Sequence, residues 1–282
     1  MRNPFPRIGK VMKYDFKHSS RTLLPLFGAL LILGLLTGLF AFPGTVFDKQ
    51  TLEFIQNNSS NPSVMQQIIS AILTVALCVL NLVCFVMTIV SIARRFKMSM
   101  LEDEAYVNLS LPVTMGEHLW GKFLTSFIWC ICCAIVDTLA GFLCFIRMGL
   151  PSLFKEFFEI LPEIQENLNT VNLSIGKLFW LGVLSFCALS FFIITLIFVV
   201  NAISHLFKKH KGFVKFITVV VLLYIDGWLF KLVPTNPFAQ SGIEMSKAFT
   251  TGLVVTSLIT IAISAVYFAA TQIIFNKKLN LE

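Results

Sequence analysis

The sequence predicts an all-α polytopic membrane protein with six transmembrane helices and cytoplasmic N- and C-termini. Three observations carry the prediction: a composition too apolar for a soluble fold to cover, six separated apolar runs of spanning length, and basic residues gathered in alternate connections. Of the 282 residues 56% are hydrophobic and 13% charged, with a mean hydropathy of +0.82, whereas soluble domains run at about 45–50% apolar. Lipid and neighbouring helices are then the surroundings expected for most side chains, including the 29 phenylalanines. The length counts spans, not globular domains.

A span needs about 20 predominantly apolar residues. The runs from Thr22 to Phe42, Ile68 to Ala93, Lys122 to Ile146, Leu178 to Ser204, Phe213 to Leu232 and Phe249 to Phe275 meet that length. The first is too long for the apolar core of a secretory signal, and Phe42-Pro43-Gly44 is no small-residue cleavage site, so it is expected to remain as a helix. Placing the N-terminus inside puts 16 of the 22 Lys and Arg residues in the cytoplasm, among them Arg2, Arg7, Lys10, Arg94, Arg95, Lys122, Lys208, Lys209 and Lys277. An inverted topology would reverse that bias. The formal charge of +7 therefore reports membrane orientation, and nucleic acid is not expected as a partner. The seven cysteines all fall in apolar runs and read as small apolar residues, not as disulfides or metal ligands.

Residues 1–21 predict a cytoplasmic interfacial helix preceding a transmembrane domain over 22–282. Ile8, Val11, Met12 and Phe16 recur at helical spacing while Arg7, Lys10, Lys13 and Lys17 take the remaining positions, as in an amphipathic helix lying on the inner leaflet. The alternative is an unstructured basic tail. An outer segment from Pro151 to Leu161 has the same character, with Leu153, Phe154, Phe157 and Phe158 set against Lys155, Glu156 and Glu159, and is expected to lie flat on the outer surface. The loop from Pro43 to Gln67 reads as irregular and solvated.

The connection between spans two and three is the most informative stretch. Ser99-x-x-Glu102 and Thr114-x-x-Glu117 both fit the capping box, in which a hydroxyl and a carboxylate satisfy orphan amides at a helix start. Pro112 breaks the chain between them. The expected product is a short acidic helix carrying Glu102, Asp103 and Glu104, then a Leu111-Pro112 kink, then a second helix that begins in the cytoplasm and continues as span three. Such an elbow is a stiff lever, able to pass movement from a soluble partner into the bilayer; the plainer alternative is a capped connector with no partner. Gly116 to Lys122 matches most of the phosphate-binding pattern G-x-x-x-x-G-K-[ST], but Phe123 stands where the magnesium-binding hydroxyl belongs and no strand precedes it. No cofactor is expected on this chain.

Tyr106, Leu109, Ser110, Leu111, Pro112 and Val113, followed by Gly121-Lys122 leading into a span, resemble the corresponding loop of ABC-2-type ABC transporter permeases, which often reads Y-x-x-L-[ST]-L-P-V-[ST] before a polar turn. The likeness in sequence covers about 20 residues; the basic N-terminal helix and six spans agree with it as architecture. The resemblance implies a permease of the bacterial plasma membrane that pairs with a second permease, identical or paralogous, and docks ABC ATPase subunits carrying ATP and magnesium. Glu102, Asp103, Glu104, Tyr106, Leu111, Pro112, Thr114 and Glu117 would then form the ATPase-coupling element, and no residue of the chain would be catalytic.

Inside the spans, Asp137 is the best candidate for the translocation path, since an Asp at mid-bilayer costs roughly 2.5–3.5 kcal/mol and needs water, a partner or a proton. A structural hydrogen bond to a neighbouring helix is the alternative. Asp226, near Trp228 and Lys231, is expected at the outer interface. Gly34-x-x-x-Gly38 fits the small-residue pattern for close helix approach. Competing functions are a proton-driven secondary transporter working through Asp137 and a non-transporting scaffold or sensor. An intramembrane aspartyl protease is disfavoured because Val136-Asp137-Thr138 and Ile225-Asp226-Gly227 lack its sequence context.

Overall fold

The structure is a computed structural model, which describes residues 5–40, 64–101, 114–144, 150–169, 173–207, 209–231 and 242–277. Among them are seven helices: α1 (Phe5–Phe40), α2 (Val64–Leu101), α3 (Met115–Leu143), α4 (Leu150–Asn169), α5 (Ile175–His205), α6 (Lys211–Lys231) and α7 (Gly242–Lys277). All except α4 are long and apolar enough to cross a membrane, so the regular structure among the described residues is all helical and the chain is a multi-pass membrane protein.

Several helices outrun the predicted spans. Helix α1 runs unbroken from Phe5 to Phe40, through residue 21, with Pro25 inside it. Span two extends at both ends, from Val64 to Leu101. That extension overturns the helix start expected at Ser99. Ser99 lies in the last turn of α2, and its hydroxyl donates back to the Arg95 carbonyl at 2.6 Å, a use of serine inside a helix, not at its cap. The start expected at Thr114 has the predicted chemistry. The Thr114 amide donates to Glu117 Oε2 at 2.9 Å and the Glu117 amide to Thr114 Oγ1 at 3.4 Å, which is a reciprocal capping box. The amphipathic segment predicted over 151–161 belongs to a 20-residue helix, α4, that continues past Pro162. Ser174 then caps α5 by accepting from the Lys177 amide.

The chain divides into two compact units. One comprises Met1–Phe16, Ile92–Phe127 and Leu161–Glu282; the other Lys17–Ser91 and Ile128–Ile160. In the first, α5 packs against α6 and α7, and Phe96 stacks on Phe198 and meets Phe275 edge-on. Those rings bring the C-terminal ends of α2, α5 and α7 together, as alternating spans require. In the second, Leu23, Phe27 and Leu30 of α1 pack with Cys84 of α2 and with Trp129, Cys133 and Ala140 of α3. Lipid is as apolar as leucine, so close backbone approach and polar contacts hold such helices together. Gly34 supplies one approach: a Cβ there would lie 2.8 Å from the Ala140 carbonyl oxygen. Hydroxyls within the spans avoid exposure to lipid by donating to the carbonyl one turn earlier, as Thr88, Thr125, Ser126, Thr195, Ser264 and Thr271 do.

Candidate functional site

In the first half of α1 the half-buried positions Ile8, Val11 and Met12 are followed by two fully buried ones, Asp15 and Ser19. The stripe repeats at three and four residues, the spacing of one helical face. Its next member after Met12 is an acid, whereas Phe16, expected on that face, is exposed. Asp15 uses both carboxylate oxygens. Arg95 Nε of α2 donates to Oδ1 and Lys122 Nζ of α3 to Oδ2, each at 2.8 Å. The side chains of Asp15 and Lys122 are 6% and 5% exposed and that of Arg95 16%. One carboxylate therefore joins three helices.

The backbone at the joint is correspondingly close. A Cβ on Gly121 would lie 3.0 Å from Val11 Cγ1, so the residue before Lys122 lets α1 seat against α3. The Gly121-Lys122 pair that imitates a phosphate-binding loop thus has a local use: the glycine admits α1 and the lysine meets its buried acid. Arg95 stands six residues before the end of α2 and Lys122 seven after the start of α3, roughly 9–11 Å in from each end at 1.5 Å per residue. The joint lies at the base of both helices that flank the 102–113 connection. Of the residues assigned to that connection from the sequence, Glu102, Asp103, Glu104, Tyr106, Leu111 and Pro112 lie outside the described residues, while Thr114 and Glu117 form the cap at its far end.

Asp137 belongs to the other unit. It is half-buried in α3, and Cys133, one turn earlier, directs its Sγ at Oδ2 at 3.6 Å, a weak contact. Its Oδ1 is buried and has no hydrogen-bond partner among the described residues. Gly34 and Gly38 are both buried on α1, and Gly34 meets the backbone of Ala140 within the same chain. Asp226, expected to reach water or headgroups, is instead 3% exposed and accepts from Tyr267 Oη of α7 at 2.7 Å. Among the described residues no group of three or more His, Cys, Asp or Glu could hold a metal ion.

From the sequence Arg95 counts only toward orientation, Lys122 toward orientation, the rejected phosphate-binding pattern and the permease resemblance, and Asp15 has no assigned role. The available signal was a single acid in a basic helix, four residues after Val11 and four before Ser19, on the face that turns inward. No family model, curated protein or solved structure matches the chain.

Proposed function

We propose that the chain is the permease subunit of an ABC exporter in a bacterial plasma membrane. Its six spans form the translocation path with a second permease, both termini are cytoplasmic, and ATP with magnesium is bound and hydrolysed on a separate ATPase docked at the 102–113 loop. The observation that carries this reading is the far side of that loop. A reciprocal capping box at Thr114 and Glu117 starts a helix that runs unbroken to Leu143, and Lys122 ties its second turn to Asp15. A capped, anchored helix can pass a displacement at its tip into the bilayer, whereas a frayed one would absorb it. The acidic residues Glu102, Asp103 and Glu104 offer the charge by which a basic surface on an ATPase would grip the loop.

Co-expression with the ABC ATPase encoded nearest to it, purification of the detergent complex and measurement of ATP hydrolysis test the proposal. Copurification, with loss of assembly or stimulation when Glu102, Asp103 and Glu104 are all changed to Lys, is the expected result. A chain that is stable alone and captures no ATPase refutes it. One observation favours a second reading: the buried, unpartnered Oδ1 of Asp137 suits a proton-driven transporter, whose activity would persist without an ATPase and collapse with an uncoupler.

A further inference from the structure

Helix α6 has a single fully buried side chain, and it is the carboxylate Asp226. Val219, Leu222, Leu229 and Phe230 share its face and pack on the apolar cluster formed by Val199 and Val200 of α5 with Ile263 and Tyr267 of α7. Asp226 sits among those positions at offsets of three, four and seven residues, so it faces the same cluster. Tyr267 Oη occupies Oδ1 at 2.7 Å, and Tyr267 is itself only 8% exposed. Oδ2 is buried with no hydrogen-bond donor among the described residues.

The charged and titratable residues Lys177 and His205 of α5 and Glu244, Lys247 and Lys277 of α7 stand in the end turns of those helices, and the stretches between them hold no counter-charge. From Leu178 to Ser204, α5 contains no Asp, Glu, Lys, Arg or His, with Cys187 as its titratable group; from Ala248 to Asn276, α7 contributes only Tyr267. On α6 itself Tyr224 is 78% exposed and points away, Lys231 is exposed at the helix end, and Lys215 donates to Asn201 Oδ1 at 2.7 Å. An ionised carboxylate here would be a desolvated charge with one neutral donor, a condition that buried carboxyls escape by taking up a proton.

We propose that the Asp226–Tyr267 pair is a proton-binding site between α6 and α7, with Oδ2 carrying the proton and Oδ1 accepting from Tyr267. Binding adds one H+ to Oδ2 and converts the carboxylate to a neutral acid; release returns the proton to water and leaves an ion that the apolar cluster does not accommodate. Proton occupancy then seats α6, the least buried of the spans, on the bundle. The site is separate from Asp137 and independent of which transport reading holds.

Infrared spectroscopy of the full chain in lipid nanodiscs at neutral pH tests it. The wild-type minus Asp226→Asn difference spectrum is expected to contain a carboxylic-acid C=O stretching band that shifts in D2O. Tyr267→Phe, which leaves Asp226 in place, should move that band to higher frequency as the carbonyl loses its donor. A difference spectrum containing only carboxylate bands overturns the proposal. Should Asp226→Asn fail to assemble, Tyr267→Phe decides alone: an acid band that it shifts supports the site, and a spectrum without an acid band, or with one that it leaves unmoved, overturns it.

Discussion

Replacing Asp15 by Ala removes the acceptor shared by Arg95 and Lys122, and its cost can be bounded in two ways. Each contact is a charge-assisted hydrogen bond at 2.8 Å between side chains 5–16% exposed. Bonds of that kind contribute about 1.5–3 kcal/mol each, or roughly 3–6 for two. Breaking a buried ionic network by deleting one member costs about 3–5 kcal/mol by a separate line of measurement. The estimates describe one event and overlap, so a loss of about 3–5 kcal/mol is expected, or roughly two to three and a half decades in the unfolding equilibrium at 1.4 kcal/mol per decade. Reversible unfolding by SDS titration in mixed micelles, followed by tryptophan fluorescence, would measure it. A double-mutant cycle with Lys122→Met should return a coupling of about 1.5–3 kcal/mol. A loss below about 0.5 kcal/mol, the size of an exposed pair, or strict additivity in the cycle, would refute the joint.

The same titration tests the glycines. Gly34→Leu should cost about 1–3 kcal/mol, because the new Cβ would stand 2.8 Å from the Ala140 backbone oxygen, which no rotamer change can move. Gly28, where a Cβ meets nothing within 4 Å, should accept Ala with no loss, and equal effects at the two positions would refute the close approach. Gly121→Ala should cost up to about 1 kcal/mol, recovered in part when Val11→Ala withdraws the methyl 3.0 Å away; no recovery would mean that Val11 is not the obstacle. Thr114→Ala should cost about 1 kcal/mol and speed amide hydrogen exchange in the first turn of α3, whereas Glu117→Gln, which preserves the capping-box pattern, should change it less. Unchanged exchange in Thr114→Ala would sink the cap.

Spans are legible in sequence because lipid imposes one requirement on some 20 successive residues; helix ends are not, because a helix may continue into water or protein on quite different grounds. Ser99 and Thr114 illustrate this. Both precede a Glu by three residues, yet only Thr114 follows a proline, at Pro112, that stops a helix from arriving from behind. Before Ser99 the run Ile92 to Met98 has no breaker, so α2 continues through it and the hydroxyl turns back to Arg95. Asp226 was misread for a different reason. Its partner, Tyr267, is 41 residues away, and nothing local distinguishes an acid facing another helix from one facing the interface. Asp15 was obscured by the counting of positive charge, in which an acid is a small correction, although it is the residue around which two of the counted charges are arranged.

That double use of Arg95 and Lys122 can be separated by experiment. An orientation signal depends on how many basic residues lie on one side, and the exchange Asp15→Lys with Lys122→Asp leaves that number and the net charge unchanged. A joint depends on which residue stands at the vertex. In the exchanged protein the new acid at 122 can still meet the new lysine at 15, but that lysine now faces Arg95, which in the native chain donates to Asp15 Oδ1 at 2.8 Å. The exchange should keep wild-type orientation, as read by labelling single cysteines from either side, while losing at least one charge-assisted hydrogen bond, about 1.5–3 kcal/mol, in the SDS titration. Full recovery of stability would reduce the joint to a simple Asp15–Lys122 pair and remove Arg95 from it. Changed orientation would mean that position 122, and not the tally, sets topology. Stability lost with orientation kept is the outcome that makes Asp15 a structural vertex in its own right, and it places the anchoring of α1, α2 and α3 on one carboxylate at the base of the loop.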